Sequence, residues 1–129
     1  MSACYEFIFN IKPQVKQRPR FGKGKTYTAK ETRAFENAIA WEARKQMAAK
    51  PILKGLLSAN IVFEFEKPKK TTLLTPRKDL DNLQKSVFDS INEIVYGDDT
   101  QIVLITAFKR WSTKDRIRLL VSEWKEEVE

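Results

Sequence analysis

The stretch from Arg77 to Ile102 constrains the chain most, because it joins an amphipathic helix to a set of acidic residues. Apolar residues recur at spacings of three and four from Leu80 to Val95, which predicts a helix of about four turns. Gly97 follows this helix and can act as its left-handed cap. Asp79 takes the N-cap position and Asp81 lies in the first turn. If Asp79 is still extended, as an N-cap residue is, the two carboxylates can converge.

More carboxylates follow at the far end of the helix. Asp98 and Asp99 form the turn before the apolar run from Ile102 to Phe108. If this run is a strand that leads back along the helix, one of the two acids can return toward Asp79 and Asp81. Closely held carboxylates repel one another, and Mg²⁺, which takes carboxylate and water ligands, removes that repulsion. The chain has no histidine and one cysteine, so zinc-type sites are nearly excluded.

An ordinary structural interpretation explains the same acids. Asp79 can be an N-cap, Asp81 a partner of the helix dipole and Asp98–Asp99 a simple turn. Lys85 can be a rung between Asp81 and Asp89 on the helix surface. Spacing alone leaves both interpretations open.

Two basic segments precede the acidic residues and predict contact with a polyanion, in agreement with a formal net charge of +7. The segment from Lys12 to Lys30 carries seven basic residues and no acid, with Phe21 and Tyr27 among them. Such a mixture can contact phosphates and offer rings to unpaired bases, although a solvated loop with an aromatic anchor is the alternative. The loop from Lys67 to Lys78 carries five more basic residues and leads directly into Asp79. The residues expected to bind DNA are Lys16, Arg18, Arg20, Lys23, Lys25, Lys69, Lys70, Arg77 and Lys78.

The rest of the chain predicts an α/β fold with the element order βαβαββ. Alternating apolar residues predict strands from Tyr5 to Ile11 and from Leu57 to Phe65. A capping box and an apolar stripe predict a helix between them, from Thr28 to Ala49. The runs Ile102 to Trp111 and Arg116 to Trp124 predict a terminal hairpin. We therefore expect a small mixed sheet that carries two helices.

Length and composition limit the class of protein. A chain of 129 residues predicts a single domain, residues 1–129. The single cysteine, Cys4, argues for a reducing compartment and against a disulfide framework. No apolar run approaches the roughly twenty residues of a membrane span, and we recognise no signal peptide before the first strand. We expect a soluble intracellular protein with no membrane partner and no small-molecule cofactor.

Three motifs occur in a fixed order that covers most of the chain: Lys16-Gln17-Arg18-Pro19-Arg20 followed by Tyr27-Thr28 and a helix; Asp79-Leu80-Asp81-Asn82-Leu83-x-Lys85 on a helix with Asp89; and Asp98-Asp99-x-Gln101-Ile102. In this order and at this length they resemble the RusA family of Holliday junction resolvases. The first motif resembles the phage and prophage branch of that family.

The resemblance implies a Mg²⁺-dependent endodeoxyribonuclease that resolves Holliday junctions, four-way DNA, by paired symmetric nicks in recombination and repair. It implies metal ligands at Asp79, Asp81 and Asp99 and a catalytic lysine at Lys85, and these four positions show no departure from the family pattern. It also implies a homodimer, in the cytoplasm of a bacterial or phage-infected cell. Large apolar residues off the predicted core stripes or in loops support a dimer interface, and these are Trp41, Leu73, Leu74, Trp111 and Trp124.

Two other functions are compatible with the residues alone. A non-catalytic basic nucleic-acid-binding protein would use its acids as caps and turns and would bind DNA without magnesium-dependent cleavage. A phage-encoded structural or regulatory protein would carry its surface lysines without a specific role.

Overall fold

Two helices pack on one face of a four-stranded mixed sheet. This computed structural model describes residues 3–16, 21–22, 25–26 and 30–125. The helices and strands are β1 (Cys4–Phe9), β2 (Phe21–Gly22), β3 (Lys25–Thr26), α1 (Lys30–Met47), β4 (Leu57–Glu66), α2 (Leu80–Ser90), β5 (Ile102–Ser112) and β6 (Arg116–Glu123), with a 3₁₀ turn at Asp99–Gln101. Apart from β2 and β3, which pair only with each other in the described chain, the order is the predicted βαβαββ. No helix in these ranges is long and apolar enough to cross a membrane.

The strand order in the sheet is β1-β6-β4-β5. β6 pairs antiparallel with β1 and β4, while β4 pairs in parallel with β5. A parallel pair needs a crossover connection, and α2 belongs to the connection between β4 and β5. The predicted β5–β6 hairpin is wrong, because β4 lies between these two strands. The central position of β4 gives it a partner on each edge. Its alternate residues are buried without a break: Leu57, Ala59, Ile61, Phe63 and Phe65.

The core lies between this face of the sheet and the two helices. The predicted apolar stripe of α1 is buried, and Trp41, which lies off that stripe, is 61% exposed. From the helices and the outer strands, the core residues include Phe35, Ile39, Ala43, Met47, Leu83, Val87, Phe7, Phe9, Ile117, Leu119 and Val121. The predicted helix start at Thr28 lies outside the described residues.

α2 ends about one turn before Val95, the predicted end of the helix. Glu93 adopts the left-handed conformation, with φ 66°, that the sequence predicts for Gly97. Tyr96 explains the early end: its ring is buried and its hydroxyl donates to the Phe88 carbonyl at 2.8 Å. The apolar spacing continues past the helix because these residues are buried by tertiary contacts, and not because the helix continues.

The opposite face of the sheet, called the open face below, is covered by no described helix. Its alternate residues are largely solvent-accessible, with Ile8 50% exposed and Phe108 54% exposed. Glu64 is the exception, since it points to this face and is only 2% exposed.

Candidate active site

Asp79 and Asp81 are exposed at the start of α2. The backbone of Asp79 is extended, with φ −67° and ψ 127°, and its side chain makes no capping hydrogen bond. Its carbonyl instead accepts the first helical hydrogen bond, from Leu83 N at 3.0 Å. No ion pair joins either carboxylate to another described residue. Asp79 is thus extended as predicted, and both carboxylates are available to a cation.

Lys85 lies one turn beyond Asp81, is exposed, and shares its helix face. The structural alternative makes Lys85 a rung between Asp81 and Asp89. Asp89 pairs with Lys16 instead, at 2.7 Å, and no ion pair within the described residues includes Lys85. The ammonium group therefore remains available beside the acids.

Asp98 and Asp99 have different positions in the turn after α2. Asp98 accepts a hydrogen bond from the Thr100 hydroxyl at 2.6 Å, which lowers the pKa of Asp98. Its backbone N–H donates to the Gln101 side chain at 2.9 Å. Asp98 thus stabilises the turn, while Asp99 is exposed at the start of the 3₁₀ turn. Of the two acids, Asp99 is the better candidate for a ligand.

The structure does not bring Asp99 to Asp79 and Asp81 within one chain. α2 has 11 residues, which makes it about 16 Å long, and Asp99 follows the end opposite to the other two acids. β5 does run back along α2, but Asp99 precedes its first residue. In the described part of the chain, no group of three or more acidic or cysteine side chains is placed to hold a metal. The expected return of one acid along β5 is therefore not observed.

β5 fastens the basic loop beside Asp79. Lys109 Nζ donates to the Lys78 carbonyl at 2.8 Å, and Trp111 Nε1 donates to the Leu73 carbonyl at 2.9 Å. A pocket of about 250 Å³ lies between this loop and the end of the sheet. The sequence prediction misses Lys109, for which the only signal is that it alternates with Trp111 on the same side of a strand. The four predicted DNA-binding residues of the loop are exposed: Lys69, Lys70, Arg77 and Lys78.

Comparison with known proteins identifies the protein family. A family model described as endodeoxyribonuclease RusA matches residues 10–122. The chain belongs to the RusA endodeoxyribonuclease family. It is also 26% identical to the uncharacterized protein YqaN of Bacillus subtilis (strain 168), over 93% of this chain and 96% of that protein. The family predicted from the sequence motifs is confirmed, and the matched range contains α2, β5 and both basic segments.

In this RusA-family chain the N-terminal basic segment is anchored to α2. The Ser86 hydroxyl donates to the Gln14 carbonyl at 2.7 Å. Two residues later, the hydrogen bond from Lys16 to Asp89 raises the pKa of Lys16. Lys16 already has a carboxylate partner, and its contact with DNA stays a prediction. Three other predicted DNA-binding residues of this segment lie outside the described residues: Arg18, Arg20 and Lys23. For Lys25, only the backbone is described.

The start of α2 combines three features that suit chemistry on a phosphodiester. Asp79 and Asp81 offer carboxylate oxygens, the ligands that hard divalent cations prefer. Lys85 offers a positive charge on the face of Asp81. Arg77 and Lys78 bring two more cations immediately before the acids. Exposed acids and exposed basic residues therefore lie together at this end of the sheet.

Proposed function

We propose that this RusA-family protein is a Mg²⁺-dependent, structure-specific endodeoxyribonuclease. It resolves Holliday junctions by paired symmetric nicks in DNA recombination and repair, and acts as a homodimer in the cytoplasm. The observation that carries the proposal is the start of α2, where Asp79, Asp81 and Lys85 are exposed and make no ion pair with other described residues. The structural alternative predicts a capping hydrogen bond to the Asp79 side chain and an ion pair for Lys85, and neither occurs among the described residues.

The donor set fits Mg²⁺, because both acids present carboxylate oxygens to solvent, which leaves ligand positions for water and phosphate. When bound, the ion supplies polarisation of the scissile phosphate and a lower pKa for the attacking water. Asp79 and Asp81 would hold the ion. Lys85 would neutralise charge that develops on the phosphoryl oxygens. Arg77 and Lys78 would hold the DNA backbone at the entrance of the site.

Asp99 enters the proposal through a second copy of the chain. Asp99 follows the end of α2 opposite to Asp79 and Asp81, and the helix is about 16 Å long. A two-fold dimer could place the Asp99 end of one copy against the Asp79 end of the other. The edge strand β5 supports an interface here, since Val103 is 49% exposed and Ile105 is 37% exposed. Exposed apolar edges are usually covered. A dimer also matches the near two-fold symmetry of a four-way junction that needs two nicks.

The test of the activity is incubation of the protein with a synthetic four-way junction, with and without Mg²⁺. We expect nicks in two opposing strands, with 5′-phosphate ends that ligase reseals, only when Mg²⁺ is present. A linear duplex of the same sequence is the control and should remain intact. If the protein binds the junction but does not cut it in Mg²⁺, the non-catalytic nucleic-acid-binding function is the correct one.

The shared site has a separate test, which mixes two inactive variants, Asp81→Asn and Asp99→Asn. In a shared site, the mixed dimer keeps one intact set of ligands, because one copy supplies Asp79 with Asp81 and the other supplies Asp99. The mixture should therefore regain nicking of one strand but not paired nicking. If all ligands act within one chain, each copy carries a lesion and the mixture remains inactive. That result would refute the shared site.

A further inference from the structure

A buried carboxylate holds three arginine side chains on the open face of the sheet. Glu64 Oε2 accepts hydrogen bonds from Arg110 Nε at 3.0 Å and Nη2 at 2.8 Å. Glu64 Oε1 accepts from Arg116 Nε at 2.6 Å and from Arg118 Nε at 3.2 Å. The register explains the grouping, because Arg110 on β5 and Arg116 on β6 are direct neighbours of Glu64 on β4. We call Arg110, Arg116 and Arg118 the arginine cluster.

The arginine cluster has more positive charge than its partner neutralises. Three guanidinium groups surround one carboxylate, and among the described residues no other acid lies within 4.0 Å of them. A guanidinium has five N–H donors, and Arg116 and Arg118 each use only Nε on Glu64. The side chains of Arg110 and Arg118 are each 47% exposed. The remaining N–H groups can therefore reach an anion that approaches from solvent.

Glu64 fixes the cluster in place. Burial alone raises the pKa of Glu64, but the hydrogen bonds from Arg116, Arg110 and Arg118 lower the pKa to about 2. The carboxylate is therefore ionised at neutral pH. Long side chains that are already ordered lose less entropy when they bind, and planar guanidinium groups match phosphate oxygens in paired hydrogen bonds. Phosphate is the anion that this geometry suits.

The position of the cluster points to nucleic acid as the source of that phosphate. Lys109 contacts the Lys78 carbonyl next to Asp79, and Arg110 follows it on a strand in which successive side chains point to opposite faces. The cluster and the Asp79 site thus share one end of the sheet and lie on its two faces, around the edge strand β5. Phe108 is 54% exposed, and the Arg110 guanidinium lies 6.0 Å from its ring centroid. An exposed ring beside a cation can stack on an unpaired base.

We propose that the arginine cluster binds backbone phosphates of a second arm of the branched DNA, while the Asp79 end of α2 holds the arm that is cut. This inference rests on the proposed function, because it assumes that a branched DNA is the substrate. It adds a second DNA-binding surface on the face of the sheet that carries no helix. Neither basic segment, from Lys12 to Lys30 or from Lys67 to Lys78, includes these arginines.

The test is the salt dependence of binding to a synthetic four-way junction in Ca²⁺. The variant changes Arg110→Gln and Arg118→Gln together and leaves Arg116, the least exposed of the three, paired with Glu64. Each lost phosphate contact lowers the log–log slope by about 0.9, which corresponds to roughly eight-fold weaker binding at 0.1 M salt. We expect a loss of at least this size for the junction and a smaller loss for a linear duplex, which has no second arm.

The charge-matched control changes Arg33→Gln and Arg44→Gln, two exposed arginines on α1. It removes the same charge from the helix side and should leave the slope unchanged. If the cluster double variant does not fold, Arg118→Gln alone replaces it, because both Glu64 oxygens keep an arginine donor, Arg110 or Arg116. This single variant should still lower the junction slope.

Three results would overturn the inference: an unchanged slope in the folded variant, equal losses for junction and duplex, or a change in sedimentation, which would make the open face an interface between copies. The same experiments distinguish failure of the second DNA-binding surface from failure of the proposed nuclease activity. Wild-type cleavage in Mg²⁺ together with an unchanged variant slope refutes the second DNA-binding surface alone. Wild-type binding without cleavage, together with a lowered junction slope in the variant, refutes the nuclease and supports the cluster.

Discussion

Glu64→Gln should destabilise the fold in a pH-dependent way. The ordinary pKa of a glutamate carboxyl group is 4.5, the value expected in the unfolded chain, and the pKa of Glu64 in the folded protein is about 2. A tenfold change in acid dissociation corresponds to about 1.4 kcal/mol, so the fold favours the ionised form by about 3 kcal/mol. Because two of the three arginines are half exposed, solvent screening reduces this to about 2 kcal/mol. Since the folded pKa is the lower one, this stability is complete above pH 4.5 and is lost as the pH falls toward 2.

The assay is urea unfolding at fixed protein concentration and ionic strength, from pH 7 to pH 3. Glu64→Gln should lower the free energy of unfolding by at least about 2 kcal/mol at pH 7, and roughly half of this pH-dependent difference should be lost by pH 3. The glutamine N–H₂ group cannot accept from arginine, which adds a cost that does not depend on pH. Glu66→Gln, at an exposed position two residues along β4, is the control and should have a small effect at every pH. An equal difference between wild type and Glu64→Gln at pH 7 and pH 3 would refute the reasoning.

Three further predictions concern DNA cleavage and binding. Asp81→Asn should abolish cleavage while junction binding in EDTA or Ca²⁺ persists or tightens, because the change removes a ligand and also a charge that repels phosphate; cutting at the normal rate would contradict the metal site. Lys85→Ala should fold and bind the junction, with turnover lower by orders of magnitude in single-turnover assays; a collapse of the melting temperature would instead make Lys85 structural. Neutralising Arg18 and Arg20 together should weaken junction binding and lower its log–log salt slope by a little under one for each lost contact; an unchanged slope would place the DNA elsewhere.

The sequence predicts where the strands lie better than it predicts which strands pair with each other. The period of two in β4 identifies all five residues that face the core, because burial of one face depends on the side chains of the strand itself. Pairing depends on competition among strands, and the short Ser112–Asp115 connection favours a hairpin that does not form. β4 takes the place between β5 and β6, where it has partners on both edges.

In the candidate site, too, the sequence predicts the features that depend on local preferences and misses those that depend on tertiary contacts. The extended backbone of Asp79 and the exposure of Asp81 follow from local N-cap preferences. The position of Asp99 depends on where α2 ends and on the direction of β5, and both are set by tertiary contacts. The arginine cluster around Glu64 depends on two strand pairings at once. The alternation of Arg116 with Arg118 in the sequence is only a weak signal of it.

The register of β5 against β4 determines which face of the sheet Lys109 and Arg110 occupy. Glu64 pairs with Arg110, and this pairing directs Lys109 to the opposite face, where it holds the loop beside Asp79. A slip of one residue would exchange these two side chains between the faces and break both contacts. An irregularity at the start of the strand, where Leu57 and Ser58 face positions two apart on β5, takes up one extra residue there. From Leu104 onward the pairing with β4 is regular, so the extra residue does not alter the positions of Lys109 and Arg110 relative to β4. The two ends of β5 can therefore serve different surfaces of the same protein.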